Sequence, residues 1–196
     1  MTPDLRSFPK ELEVSVLTIF GVLSTTAIGV GMRHLGALRH YVLTGEKSFV
    51  IFIIYGLAFS LVASASRLMR KRDIVILILV ASVIWGVFVE GQGFSGGLHF
   101  LTFSALITLG IVIGTMGWVS SAVGLRISLG GFVPAILCGF GGLAFQHLAP
   151  YLRAAPVEPA ERWVTAALWG FWLGFAVGIG VSAGSELLQW MKQRPR

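Results

Sequence analysis

The residues best suited to chemistry lie in one short stretch that begins with Glu90 and ends with His99. The stretch also contains Gln92 and Ser95, and Glu90 is the only carboxylate within residues 74–157. Glycines on both sides of Ser95 permit the torsions of a tight turn, and free backbone N–H groups at a helix start can stabilise an oxyanion. A Ser, a His and a Glu this close together suggest either a nucleophilic site or a polar binding site.

The elements that must position this stretch are apolar. Hydrophobic residues make up 55% of the 196 residues and charged residues 12%, whereas soluble domains carry about 25% charged residues. Six continuous apolar runs approach the roughly 20 residues that a helix needs to cross a bilayer, and their lack of alternation favours helices over a β-barrel. The runs lie near 13–32, 48–66, 74–90, 98–122, 127–148 and 163–190. The sequence therefore predicts an all-α polytopic membrane protein, a six-transmembrane-helix bundle.

The distribution of basic residues predicts the orientation of this bundle. Ten Lys and Arg residues fall on the side that holds both termini, and five fall on the other side. Because cytoplasmic loops carry the excess of basic residues, we expect an inner-membrane protein with both termini in the cytoplasm. The expected organisation is a cytoplasmic segment 1–12, a membrane domain 13–190 and a cytoplasmic tail 191–196. Since the basic residues flank apolar runs, the net charge of +6 predicts a lipid bilayer rather than a nucleic acid as partner.

In this topology the polar chemistry collects on the outer side of the membrane. The residues there are His34, His40, His99, His147, Glu90, Gln92, Ser95 and Gln146. Polar groups at membrane depth are costly, so their clustering indicates a functional site. The sequence predicts Ser95 and His147 as catalytic residues, and Glu90, Gln92, His99 and Gln146 as binding residues.

The stretch from Gly93 to His99 reads Gly-Phe-Ser-Gly-Gly-Leu-His. It resembles the motif Gly-x-Ser-Gly-x-Leu-His of the rhombosortase branch of the rhomboid family of intramembrane serine proteases. The resemblance implies six core spans, a serine nucleophile at the outer end of the fourth, and membrane-embedded polypeptide segments as partners.

This chain lacks the catalytic base of the family pattern. The family's catalytic His lies at the outer end of span six in a pattern like Ala-His-Leu-Trp-Gly, and Ala167 occupies that position here. The His and Asn that help to form the family's oxyanion hole are missing from 48–66. Because a Ser hydroxyl without a base is a poor nucleophile, the resemblance implies degraded or absent catalysis unless His147 substitutes.

Small residues recur every four positions in three of the runs. The predicted helix-packing glycines are Gly110, Gly114, Gly131, Gly139, Gly170, Gly174 and Gly178. Small residues at this spacing let helix backbones approach closely in lipid. Two interpretations remain open, namely a tightly packed monomeric bundle and a glycine zipper that forms a homo-oligomer seam or lines a pore.

Other functions also remain open. In a small solute transporter, a channel component or a substrate-binding subunit, Glu90 would bind a cationic or polar solute from outside. Haem ligation by His99 and His147 would satisfy the need for two His at matching depth. No His pair has HxxxH spacing, so we expect no metal and no cofactor. A structural or assembly subunit would need no ligand.

Three features are assigned structural roles. Cys138 is predicted to be a small core residue, and Glu186 a solvated carboxylate near Lys192 at the cytoplasmic end. The tryptophans of the last run, which suit anchoring at the membrane interfaces, are Trp163, Trp169, Trp172 and Trp190, and a deeper position remains open for Trp169 and Trp172.

Overall fold

The computed structural model describes residues 8–34, 47–67, 69–91, 97–115, 123–148 and 159–193, with side chains described in these ranges except near several helix ends. Within these ranges the chain forms six α-helices and no strand. They are α1 Lys10–His34, α2 Lys47–Ser66, α3 Lys71–Gly91, α4 Gly97–Thr115, α5 Val123–Leu148 and α6 Pro159–Gln193. The all-α prediction is confirmed for this part of the chain, and each predicted apolar run corresponds to one helix. Residues 116–122, the end of the fourth run, lie outside the described residues.

Three helical stretches among the described residues are long and apolar enough to cross a membrane, judged by length and composition. They are Lys10–Met32, Gly124–Leu143 and Ala167–Gln193. Two further apolar stretches, Phe52–Ser66 and Ala105–Thr115, are shorter. These helices support a membrane protein with transmembrane helices.

Helix starts follow from local hydrogen bonding and charge. α1 begins after Pro9, whose carbonyl accepts hydrogen bonds from the backbone N–H groups of Leu12 and Glu13 at 3.0 and 3.2 Å. Acidic residues in the first turns of α1 and α3 favour these ends because they complement the positive end of the helix dipole. In α3 that residue is Asp73, whose N–H donates to the carbonyl of Arg70 at 2.9 Å.

Several hydroxyl groups inside the helices donate hydrogen bonds to the backbone of their own helix. Thr25, Ser64 and Ser82 each donate to the carbonyl four residues earlier, at 2.7, 2.6 and 2.6 Å. Water is absent from the interior of a bilayer, so such bonds let a Ser or Thr lie at membrane depth at low cost.

The helices alternate in direction. Gly29 of α1 lies against Phe52 of α2, whereas Gly21 lies against Ser60, so the two helices are antiparallel. In the same way, Gly184 of α6 lies against the early part of α1, at Leu17. One end of the bundle therefore holds the starts of α1, α3 and α5 with the ends of α2, α4 and α6, and the other end holds the remaining helix ends.

Among the described residues, α5 and α6 share the most extensive contact between two helices. A Cβ placed on Gly170, Gly174 or Gly178 would overlap a backbone carbonyl of α5. The carbonyls belong, in that order, to Cys138, Pro134 and Gly130. The two backbones thus meet directly over two turns, and only glycine fits at these three positions of α6.

α4 also packs closely on α5 through glycines, on another face of α5. A Cβ on Gly110 would lie 2.9 Å from Cys138 Sγ, and a Cβ on Gly114 would lie 2.5 Å from Pro134 Cα. Cys138 itself is fully buried and its thiol donates to the carbonyl of Ile107 at 3.4 Å, as expected for a core residue. Gly131 and Gly139 of α5 meet α6 less tightly, at 3.0 Å or more.

The outer surface of the bundle is apolar. In α3 a continuous set of large hydrophobic side chains is at least half exposed, namely Val75, Ile76, Leu79, Val80, Val83 and Ile84. Soluble monomers rarely expose an apolar surface of this extent. A lipid environment accounts for it.

The α5–α6 contact predicts a sharp difference between glycines. We expect Gly178→Ala to lower the free energy of unfolding by roughly 1–3 kcal/mol, since the new methyl group overlaps a backbone carbonyl that cannot move aside. The matched control is Gly31→Ala, because nothing lies within 4 Å of that Cβ and Ala gains about 1 kcal/mol of helix propensity. Denaturation of both variants in mixed detergent micelles measures the difference. Equal stability of the two would contradict the direct backbone contact.

Candidate functional site

Four of the predicted site residues belong to helix ends at one end of the bundle. Glu90 is in the last turn of α3, His99 is in the first turn of α4, and Gln146 and His147 are in the last turn of α5. The side chains of these four residues, and the whole of Gln92 and Ser95, lie outside the described residues. Their placement is therefore described at the level of the helices that carry them.

The register of α4 on α5 brings two of these turns to the same level. A Cβ on Gly141 of α5 would lie 3.3 Å from Leu106 Cβ, and Gly110 and Gly114 follow the same antiparallel register farther along. Continuing this register by two turns brings His99 level with the last turn of α5. That turn contains Gln146 and His147.

The position that replaces the base of the resembled family lies deeper in the bundle. Ala167 is one turn before Gly170, and its carbonyl oxygen would lie 3.5 Å from a Cβ on Gly139. The shared register of α4, α5 and α6 puts Ala167 level with Ile107 of α4. His99 is eight residues earlier in α4, or about 12 Å along the helix axis. The last turn of α5 is therefore closer to the start of α4 than Ala167 is.

Aromatic side chains follow Ala167 along α6 and pack against α2. Trp169 and Trp172 pack edge to face with ring centroids 5.1 Å apart. Tyr55 and Phe52 of α2 contact them at 5.5 and 5.4 Å. Edge-to-face contacts of this kind add stability beyond area burial. They lock α2 onto α6, and Trp172, only 2% exposed, belongs to the core rather than to a membrane interface.

The opposite end of the bundle contains an ion pair that sequence reasoning missed. Arg126 of α5 donates a hydrogen bond from Nη2 to Glu186 Oε2 at 2.7 Å, and its Nε lies 2.7 Å from Glu186 Oε1. Both side chains are largely buried, with 27% and 15% exposure. The expectation that Glu186 is a solvated carboxylate near Lys192 is wrong, because the α5–α6 contact encloses Glu186 beside Arg126. The sequence did contain a signal for this pair, since Arg126 and Glu186 are opposite charges at the same end of two apolar runs.

Two more contacts tie helices together at this end. Lys192 of α6 pairs with Glu13 of α1, and its Nζ lies 5.9 Å from the centre of the Phe8 ring. Arg67, just after α2, donates from Nε to the carbonyl of Thr115 at 3.1 Å. That carbonyl is in the last turn of α4, where backbone carbonyls have no partner within the helix. The ionic end thus links α1, α2, α4, α5 and α6.

Among the residues described in 8–34, 47–67, 69–91, 97–115, 123–148 and 159–193, no group of three His, Cys, Asp or Glu is suited to hold a metal ion. Comparison of the chain with protein-family models, with curated proteins and with solved structures found no match.

The Arg126–Glu186 pair predicts a stability difference between single and double variants. We expect Glu186→Gln to lower the free energy of unfolding by roughly 2 kcal/mol, because it leaves a largely buried guanidinium without its carboxylate. The double variant Arg126→Gln with Glu186→Gln should recover part of this loss. Arg72→Gln is the control, since its pair with Asp73 is exposed and worth at most about 1 kcal/mol. The pairing would be contradicted if the double variant lost more free energy of unfolding than the two single variants lose together.

Proposed function

We propose that this chain is a six-span, rhomboid-like integral membrane protein that engages membrane-embedded polypeptide segments at the end of the bundle where α4 begins. The observation that carries the proposal is the position of the motif Gly93 to His99. Its last three residues are the first three of α4, the fourth of six helices. The resembled motif has the same relation to its helix.

The packing of α6 supports the same proposal. α6 is the most deeply buried of the long apolar helices and contacts α5, α1, α4 and α2. α6 is central and is held against α5 by small residues. The polar motif at the start of α4 therefore lies away from this contact, at the end of the bundle where we propose that it meets the membrane surface. Polar groups there can contact the unpaired backbone of a partner segment, which lipid leaves unsatisfied.

We propose binding without conventional catalysis. α6 contains no histidine, and the position of the family base is occupied by Ala167. A hydroxyl nucleophile needs a base within about 3 Å, whereas Ala167 lies about 12 Å deeper than the level of His99. Among the histidines of the described helices, His147 is in the turn level with His99 and is the replacement that the helix register favours.

The orientation belongs to the proposal as well. Both termini lie in the cytoplasm of an inner-membrane-type bilayer, and the ionic end of the bundle faces the cytoplasm. The exposed basic residues Arg70 and Arg72 at the α2–α3 connection support this orientation through the positive-inside rule.

Cysteine labelling in intact cells tests the orientation. Cys138 is fully buried, so single cysteines can be introduced without replacing it. We expect Thr44→Cys, in the first outer loop, to react with a membrane-impermeant maleimide in intact cells. Arg72→Cys should react only after the cells are permeabilised. Labelling of Arg72→Cys in intact cells would overturn the orientation.

Site-specific photo-crosslinking tests the binding function. A photoreactive phenylalanine in place of Phe94 should form adducts whose crosslinked peptides map to transmembrane segments of other polypeptides. The same group in place of Val83 is the control, because that side chain is half exposed on the apolar surface of α3. Adducts with lipid alone at Phe94, or equal polypeptide adducts at both positions, would contradict the proposal.

A second measurement on the same membranes decides the catalytic part. A fluorophosphonate probe, which labels activated serines, should give no labelling that depends on Ser95. Labelling that disappears in Ser95→Ala and also in His147→Ala would contradict binding without catalysis, and it would identify His147 as the base.

A further inference from the structure

Arg67 is a partly buried cation whose ion-pair partner is not found among the described residues. It follows the last residue of α2 and is partly buried between the ends of α2 and α4. Burial lowers the pKa of its guanidinium from the ordinary value, and the Glu186 carboxylate acts in the opposite direction. Its described hydrogen bond, from Nε to the Thr115 carbonyl, is to a neutral group.

The Glu186 carboxylate, which acts electrostatically on Arg67, is already paired with Arg126. Both oxygens of Glu186 lie 2.7 Å from nitrogens of Arg126. Among the residues that the structure describes, none provides a carboxylate within 4.0 Å of Arg67. Within the described part of the chain, the partly buried guanidiniums of Arg67 and Arg126 therefore have one partly buried carboxylate between them, and the balance of these three groups is positive. Such a charge is costly to bury unless a further anion neutralises it.

The chemistry of Arg67 and its position indicate the anion. A guanidinium presents a planar fork of donors that matches the oxygens of a phosphate. The exposed side chain of Arg70 adds a second positive charge three residues away. Met69, next to Arg70 in the chain, is 43% exposed, and Leu61, nearly two turns before Arg67 in α2, is 48% exposed. A group of cations next to an exposed apolar helix face suits a molecule with an anionic head and an acyl chain.

We propose that Arg67, assisted by Arg70, binds the phosphate of an anionic phospholipid between the ends of α2 and α4. The bound lipid would neutralise the excess charge beside the Arg126–Glu186 pair and cover the α2–α4 end. This site is at the opposite end of the bundle from the proposed polypeptide site. It rests on membrane insertion of the bundle but not on polypeptide binding, so the two can fail separately.

Native mass spectrometry of the purified full chain in detergent tests the site. The probes are phosphatidylglycerol and phosphatidylcholine with identical acyl chains. We expect the wild-type chain to bind more phosphatidylglycerol than phosphatidylcholine. Arg67→Gln should reduce phosphatidylglycerol binding by roughly fivefold and leave phosphatidylcholine binding unchanged, as expected for one cation near a lipid headgroup. Unchanged phosphatidylglycerol binding in Arg67→Gln would overturn the proposal.

Two variants and one competitor sharpen the test. Arg72→Gln should keep the wild-type preference, because its side chain is 87% exposed and pairs with Asp73. An equal loss in Arg72→Gln would show a response to net charge alone and would overturn the site. Complete displacement of the lipid by inorganic phosphate would also overturn it, since the site would then bind a free anion. If Arg67→Gln does not fold, Arg70→Gln decides, since that side chain is exposed: a reduced phosphatidylglycerol preference supports the site, and an unchanged preference overturns it.

Discussion

The fold depends on the direct contact between the backbones of α5 and α6. In lipid, apolar side chains gain little by leaving one apolar environment for another, so close van der Waals packing must hold helices together. Gly170, Gly174 and Gly178 supply it, because each lies against an α5 carbonyl with no room for a side chain. The contact also brings Glu186 beside Arg126 at one end. The pair can form at partial burial because the two helices are already held at this distance.

The other helices are arranged around this pair. α4 packs on α5 through Gly110 and Gly114, and α1 packs on α6 through Gly180, which lies against the backbone of Gly21. α2 is attached differently, by the aromatic side chains that contact Trp169 and Trp172. α6 therefore packs against other helices on three of its faces. A tilt of α6 would break glycine contacts on one side or aromatic contacts on the other.

Sequence patterns were sufficient to locate the helices. Each of the six described helices corresponds to a continuous apolar run, and three of them contain stretches that are long and apolar enough to cross a membrane. The spacing of Gly170, Gly174 and Gly178 indicated a close-packing face but not its partner, since a repeat of small residues contains no information about the helix it meets. Trp172 shows a second limit. A tryptophan near the start of a span suits an interface equally well, and only the contact with Phe52 makes it a core residue.

Glu186 shows why the charged contacts were harder to predict. A carboxylate near the end of a span is normally solvated, and its pairing with Arg126 depends on the rotation of two helices about their axes. The glycine contacts set that rotation, and sequence alone does not reveal which glycine faces which carbonyl. The same rotation governs the other end. Once Gly110, Cys138 and Gly170 share a level, Ala167 is fixed deeper than the first turn of α4. A base at that position would then need α4 to begin farther inside the bundle. Within this packing, the last turn of α5 is the better source of a partner for the motif at the start of α4.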